Sequence, residues 1–189
     1  KYNPQVIYAN DIDEKLINYY NTIKTKPNLV IDECLEFKNK FNSETFRDEF
    51  YKLDRNKASH FFVANKTSFG GLNGNYSSQA FDKNFSVKCI DKIHDVSGVI
   101  QNVNFVNADF VKLDEYIDNI NGFFIYLDPP YFGNKKIGLY GDKGALHKNF
   151  DHLALFNWVN IHSANNKIMI SYDDSPYIRE LYKDYNIYS

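Results

Sequence analysis

The sequence predicts an α/β domain with a largely parallel β-sheet. Short apolar segments that read as strands alternate along the chain with segments whose apolar residues recur at helical spacing. The 189 residues allow one ordinary domain with a small inserted lobe, and they are enough to bury a sizeable core. Cys34 and Cys89, the only cysteines, exclude a disulfide framework and a four-cysteine zinc site.

The first part of the chain reads as one strand followed by helices. Residues 5–9 predict a short buried strand that ends just before Asp11. Apolar residues then recur at helical spacing over 12–24 and again over 29–41. A further helix is expected after Ser43, which we predict to be its N-cap.

The middle of the chain departs from this alternation. Residues 57–65 are compatible with a helix or a strand, and residues 66–88 are predicted to be a loop that carries interleaved aromatic side chains. A helix is expected over 90–100 and a strand over 103–106. We therefore interpret residues 56–92 as an insertion into the α/β domain.

The alternation resumes in the last third. The clearest strand of the sequence covers 123–127, and a polar, glycine-containing loop follows it. A helix at about 150–165 and a strand over 167–171 come next. Ser175 as N-cap, with Pro176 at the first helical position, predicts a last helix.

Three of the predicted strands are followed by an aspartate, namely Asp11, Asp109 and Asp128. In open α/β sheets ligands bind beyond the carboxyl ends of the strands, so these acids are candidates for a binding site. Each also has a structural explanation, because aspartate commonly caps a helix or closes a turn. Both explanations stay open for each residue.

The tetrapeptide Asp128-Pro129-Pro130-Tyr131 is more specific. At average residue usage it occurs by chance in about one chain in a thousand of this length. Two prolines remove two backbone donors and fix φ, so the chain leaves the strand in a rigid turn. A carboxylate, free carbonyl groups and an aromatic ring then lie near one another. Such a set suits a planar ligand that presents an amino group.

Charge is unevenly distributed along the sequence. The formal net charge is −2, yet residues 55–92 carry six basic and only two acidic side chains. This local excess favours a polyanion-binding surface, although a solvated lysine-rich face explains it too. The histidines lack metal-ligand spacing, so no metal is expected. No apolar run is long enough for a membrane span and no signal peptide is evident, so a cytoplasmic location without membrane contact is expected.

The segment FFIYLDPPY resembles the catalytic motif of S-adenosylmethionine-dependent amino-methyltransferases, and the wider pattern resembles the DNA adenine methyltransferases related to Dam. The segments VIYANDIDEKLINYYNTIK, VNADF, NKTSFGGLNGNYS and IMISYDDSPYIRELY are similar to further family segments, and they occur in the family's order. The resemblance covers nearly the whole chain.

The resemblance implies a Rossmann-like methyltransferase sheet, present here in part, with residues 1–55 and 93–189 as the catalytic domain and residues 56–92 as a target-recognition insertion. It implies transfer of a methyl group from S-adenosyl-L-methionine to the 6-amino group of adenine in duplex DNA, with the base flipped out of the helix. The implied catalytic residues are Asp128, Pro129, Pro130 and Tyr131. The implied cofactor-binding residues are Asp11, Ile12, Asp109, Phe110 and Asp128. The implied DNA-binding residues are Lys66, Asn73, Asn75, Tyr76, Lys83, Lys88, Lys135 and Lys136.

The sequence also departs from the family pattern. The family's glycine-rich loop does not precede Val6, and the chain stops at Ser189 before the family's final strands, so we expect a partial copy of the domain. An Arg-x-Asn element common in Dam-like members is absent from the insertion, so a GATC target does not follow. A guanine amino-methyltransferase of ribosomal RNA and an inactive nucleic-acid-binding remnant remain alternatives. A cognate restriction endonuclease as partner and the oligomeric state are left open.

Overall fold

The computed structural model describes residues 4–132 and 150–189, which form a mixed α/β structure. The strands are β1 (Ile7–Asp11), β2 (Val103–Asn107), β3 (Phe124–Leu127) and β4 (Lys167–Ile170). The helices are α1 (Glu14–Thr25), α2 (Pro27–Lys40), α3 (Arg47–Phe50), α4 (Ala58–Thr67), α5 (Ser78–Asn84), α6 (Val87–Val99), α7 (His152–His162) and α8 (Pro176–Leu181), with 3₁₀ turns at Phe69–Gly71 and Phe110–Glu115. The α/β class predicted from the sequence is confirmed.

The chain divides into two compact units, Lys1–Asn107 and Ala108–Ser189. In the first unit β1 and β2 pair in parallel, with Ile7 opposite Val103 and Asp11 opposite Asn107. In the second unit β3 and β4 pair in parallel, with Leu127 opposite Ile170. The described residues therefore contain parallel strand pairs, as predicted, and these are two separate two-stranded sheets.

The main hydrophobic core lies in the first unit and is rich in aromatic rings. Phe46, Phe50, Phe81 and Phe85 are among its fully buried side chains. The ring of Phe46 lies 5.3 Å from that of Phe81, centroid to centroid, so α5 packs against the segment that leads into α3. Residues of the predicted insertion are thus part of the same core as residues from α1, α2 and α3.

The prediction of a loop over residues 66–88 is wrong for the second half of that segment. Residues 78–84 form α5, which Ser77 caps by accepting the N–H of Ala80. A seven-residue helix is too short to show a helical period in the sequence, and burial of Ala80 and Phe81 stabilises it. Residues 57–65, for which helix and strand were both open, lie mostly in α4.

Ser43 is not the helix cap that the sequence suggests. The side chain of Asn42 accepts the N–H groups of Glu44 and Thr45 and begins a turn there, and α3 itself starts only at Arg47 without a side-chain cap. The prediction for Ser175 is confirmed, because its hydroxyl accepts the N–H of Ile178 at the start of α8.

The second unit has a smaller core, whose buried side chains include Leu113, Leu155, Trp158 and Ile178. Side chains of β3 and β4 alternate between half-buried and exposed positions, which is the pattern of a sheet with one covered face. Within the described ranges no helix has the length and apolar character that crossing a bilayer requires. The same ranges contain no group of three or more acidic, histidine or cysteine side chains arranged to bind a metal ion.

Candidate functional site

Asp11 is the last residue of β1, and its side chain is half-buried. Its Oδ1 accepts the N–H of Asp13 at 2.7 Å, while the N-cap of α1 is Asp13, whose carboxylate accepts the N–H groups of Lys15 and Leu16. Helix capping therefore does not account for Asp11. Burial raises the pKa of Asp11, and the charge of Asp13 acts in the same direction. The neighbouring Ile12 is exposed.

Asp109 follows two residues after the end of β2 and is half-buried. It is the N-cap of the 3₁₀ turn Phe110–Glu115, and its Oδ1 accepts the N–H of Val111 at 3.2 Å. Capping of a turn thus accounts for the position of Asp109. It uses one carboxylate oxygen, and the second can accept a hydrogen bond from another donor. The ring of Phe110 lies 5.6 Å from that of Phe150.

Asp128 directly follows β3, and its carboxylate is exposed. Its Oδ1 accepts the hydroxyl of Ser171 at 2.5 Å, and Ser171 directly follows β4. Asp128 caps no helix in the described part of the chain. Pro129 is buried and Pro130 half-buried, so the turn is packed against the unit while the carboxylate stays accessible.

Tyr131 and Phe132 complete this turn in different environments. Tyr131 is 38% exposed, and its ring makes no ring contact with any residue that the structure describes. Phe132 stacks on Tyr177, with ring centroids 4.3 Å apart, and its backbone N–H donates to Asp173 at 2.8 Å. The turn is therefore fixed at its far end, and Tyr131 remains available to a flat ligand.

The loop between α4 and α5 has a closely hydrogen-bonded backbone. The N–H of Phe69 donates to the carbonyl of Asn75, and the N–H of Asn73 donates to the hydroxyl of Ser68. Asn73 has a φ of 59°, a left-handed conformation that asparagine tolerates better than most residues. Its Oδ1 is buried, and no residue that the structure describes donates a hydrogen bond to it, whereas Asn75 is exposed.

Tyr76 lies in the hydrophobic core of the first unit. Its ring packs near those of Phe46 and Phe50, and its hydroxyl donates to the carbonyl of Ser43 at 2.5 Å. Burial raises its pKa to about 12. Since the side chain is only 8% exposed, Tyr76 anchors the loop in this structure.

The basic side chains of residues 55–92 differ in what they contact. The guanidinium of Arg55 donates to backbone carbonyls, and Lys57 pairs with Glu33. The Nζ of Lys66 lies over the ring of Phe62 at 5.5 Å. Lys83 and Lys88 are exposed and form no ion pair with any described residue. Lys135 and Lys136 lie outside the described residues.

Sequence reasoning missed Ser171 and Asp173, which contact the first and last residues of the turn 128–132. A signal was present, because both follow β4 as Asp128 follows β3, and the carboxyl ends of parallel strands meet at one edge. The register that brings them together was not readable from the sequence.

Comparisons with a protein family and with individual proteins both identify methyltransferases as relatives of this chain. Residues 1–189 match the family described as D12 class N6 adenine-specific DNA methyltransferase. The chain is 27% identical over 212 residues to the type II methyltransferase M.MjaIII of Methanocaldococcus jannaschii, covering 99% of this chain and 72% of that protein. It is also 27% identical over 207 residues to the type II methyltransferase M1.LlaDCHI of Lactococcus lactis subsp. cremoris, covering 98% and 71% respectively.

Proposed function

The chain belongs to the D12 class of N6 adenine-specific DNA methyltransferases, and from this membership we propose that it methylates an adenine flipped out of duplex DNA into a site formed by Asp128, Pro129, Pro130 and Tyr131. Membership makes the protein an adenine-specific DNA methyltransferase, and it implies S-adenosyl-L-methionine and DNA as reactants. The choice of site is carried by one observation. An accessible carboxylate begins a rigid Pro-Pro turn directly after β3, beside an exposed tyrosine ring.

The 6-amino group of adenine is a poor nucleophile, because its lone pair is delocalised into the ring. In the proposal, Asp128 Oδ2 accepts a hydrogen bond from one N–H of the amino group, and the carbonyl of Pro129 accepts a hydrogen bond from the other. The nitrogen then moves towards tetrahedral geometry and its lone pair becomes available. The two acceptors stabilise the positive charge that develops on the nitrogen. This role is supported by Asp128 Oδ2, to which no described residue donates a hydrogen bond.

Tyr131 is proposed to stack on the flipped base. Flipping costs a few kcal/mol of lost stacking and pairing. Stacking on an aromatic side chain contributes roughly 1–3 kcal/mol per base, which offsets part of that cost. The proposal is supported by the exposed ring of Tyr131, which lies three residues from Asp128 on the same rigid turn.

Asp11, Ile12, Asp109, Phe110 and Asp128 are proposed to bind S-adenosyl-L-methionine, which supplies an electrophilic methyl group when bound. Asp11 suits the ribose hydroxyls, because its Oδ1 is fixed by the N–H of Asp13 and its Oδ2 can accept a donor. Asp109 is fixed in the same way by Val111 and suits the amino group of the cofactor's adenine. The acceptor oxygens of Asp11 and Asp109 therefore fit the hydroxyl and amino donors of the group to which these residues are assigned.

The DNA interface is proposed to lie in the target-recognition insertion 56–92, between the two parts of a single Rossmann-like catalytic domain (1–55 and 93–189). Lys83, Lys88 and Lys66 are assigned to phosphates, because phosphate contacts position a protein on DNA without reading sequence. Exposed Asn75, together with the backbone around Asn73, is assigned to the bases. Tyr76 is assigned to the same interface through the loop it anchors, and Lys135 and Lys136 as further phosphate contacts.

The test is transfer of labelled methyl from S-adenosyl-L-methionine to mixed-sequence duplex DNA, with RNA in parallel. We expect label in adenine of DNA. The variant Asp128→Ala is expected to lose transfer by at least about a thousandfold while its affinity for DNA changes little. Asp95→Ala, which removes an exposed acid of α6, is the matched control. An active Asp128→Ala protein would contradict the catalytic role proposed for Asp128. Label in RNA alone would contradict the assignment of DNA as the substrate.

A further inference from the structure

The carboxylate of Asp128 is oriented by a neighbouring strand. Leu127 lies opposite Ile170 in the parallel pair β3–β4, so the residues that follow, Asp128 and Ser171, emerge side by side at the carboxyl edge. The N–H of Ser171 donates to the carbonyl of Leu127 at 3.0 Å, which extends the pairing one step beyond β4. Backbone pairing alone therefore fixes the position of Ser171 relative to Asp128.

The side chains at this edge form a directed series of hydrogen bonds. Ser171 has a single hydroxyl proton, which it donates to Asp128 Oδ1 at 2.5 Å. The hydroxyl of Tyr126 lies 3.2 Å from Ser171 Oγ and must then be the donor to it. The Tyr126 contact is longer and therefore weaker than the Ser171 contact.

We propose that Ser171, assisted by Tyr126, is a positioning residue for methyl transfer; the proposal rests on the catalytic role assigned to Asp128 above. By donating to Oδ1, Ser171 fixes the rotation of the carboxylate, so that Oδ2 keeps one direction for an incoming amino group. An exposed aspartate without such a donor samples several rotamers, and only a fraction of them present Oδ2 correctly. Asp173 supports the same turn from its other end, through the N–H of Phe132.

The geometry predicts a graded series of rates. Ser171→Ala removes the donor and is expected to slow single-turnover methyl transfer by about tenfold or more. Ser171→Thr keeps a hydroxyl at the same position and is expected to stay within about threefold of the parent rate. Tyr126→Phe removes only the weaker second contact, and we expect a loss of about two- to threefold. Affinity for DNA is expected to be unchanged in all three, because none of them alters a basic side chain.

The experiment measures the single-turnover rate on saturating mixed-sequence duplex DNA, the affinity for the same DNA by fluorescence anisotropy, and the thermal midpoint of each protein. Ser163→Ala is the matched control, because Ser163 lies in the same unit and, among the described residues, its hydroxyl donates a hydrogen bond only to the carbonyl of Asn160. Slow transfer in Ser171→Ala, with unchanged DNA affinity and recovery in Ser171→Thr, supports the proposal.

Four outcomes overturn it. Ser171→Ala transferring at the parent rate shows that the donor is unnecessary. Equal slowing in Ser171→Thr and Ser171→Ala, or slowing that follows a lower thermal midpoint, shows a packing role. A parent chain that transfers no methyl to DNA contradicts the proposed function itself, and this result is distinct because it precedes any substitution.

Discussion

Asp11 and Asp13 show how one short segment separates two tasks that the sequence could not assign. Asp13 caps α1. Asp11 accepts the N–H of Asp13 with Oδ1, which leaves its Oδ2 to accept a hydrogen bond from a ligand. The arrangement has an energetic cost, because Asp11 is partly buried next to another acid. Burial raises its pKa, the charge of Asp13 adds to the effect, and backbone N–H groups only partly offset it.

We expect Asp11→Asn to stabilise the protein at pH 7. The folded state binds the Asp11 proton more tightly than the unfolded chain does, so stability is lost as pH rises from the ordinary aspartate pKa of about 3.9 through the raised value. Asparagine still accepts the N–H of Asp13 and carries no charge. The thermal midpoint is expected to rise by roughly 1–3 °C at pH 7. The difference is expected to vanish below about pH 4, and affinity for S-adenosyl-L-methionine to fall.

Thermal unfolding across this pH range and calorimetric titration with the cofactor check both parts. Asp95→Asn is the control, since it removes the same charge from an exposed position of α6. A midpoint of Asp11→Asn at or below that of the parent at pH 7 would show that the buried charge has no such cost.

At the scale of elements, Glu33 on α2 joins that helix to the start of α4. Its carboxylate accepts the hydroxyl of Ser59 at 2.5 Å and pairs with Lys57 Nζ at 2.8 Å. Burial acts to raise the pKa of Glu33, but the hydrogen bonds from Lys57 and Ser59 outweigh it, and the pKa is lowered. Ser59 is fully buried, so the carboxylate also satisfies a hydroxyl that has no access to water.

Two substitutions of Glu33 separate these contributions. Glu33→Ala leaves the Ser59 hydroxyl buried without its acceptor, and we expect the free energy of unfolding to fall by about 1–3 kcal/mol. Glu33→Gln keeps an acceptor for Ser59 and loses only the charge, so a loss below about 1 kcal/mol is expected. A group whose pKa is lowered by folding stabilises the protein at pH values above its ordinary pKa. The parent protein is therefore expected to be more stable than Glu33→Gln at pH 7, and this difference in the free energy of unfolding is expected to disappear as pH falls below about 4.

Urea unfolding at pH 7 and pH 3.5 provides the measurement, with Glu36→Gln, an exposed acid on the same helix, as control. If Glu33→Gln destabilised the protein as much as Glu33→Ala, the charge rather than the acceptor for Ser59 would be the main contribution.

The elements also show what the sequence could and could not predict. Amphipathic helices such as α1, α2 and α6 and strands such as β2 and β3 were found, because their apolar periodicity is set by burial of one face. Helix α5 was missed, since it is short and is stabilised by distant rings such as Phe46. Asp128 was found from its place after a strand, but its partner Ser171 depends on a register between segments about forty residues apart.

At the scale of the whole molecule, the chain forms two units, and the described part of each contains one parallel strand pair. Among the described residues, those assigned to the DNA interface in segment 56–92 belong to the first unit, and the proposed catalytic residues, 128–131, belong to the second. The separation suggests that binding and transfer can be altered one at a time. The first unit also contains the basic segment 55–92, within a chain whose net charge is −2.

This charge distribution leads to a prediction for Lys83, which is exposed and lines a groove between α5 and the preceding loop. Lys83→Ala is expected to weaken binding of all duplex sequences alike, and to reduce the slope of log affinity against log salt concentration by about one, because one fewer counterion is released. Anisotropy titrations at several salt concentrations measure the slope. Lys52→Ala is the control, because Lys52 pairs with Glu49 outside the basic segment and is expected to leave the slope unchanged. A Lys83→Ala protein with the parent slope but an altered sequence preference would instead place Lys83 at a base edge, so that the lysine would select the methylated site rather than position the protein on the DNA backbone.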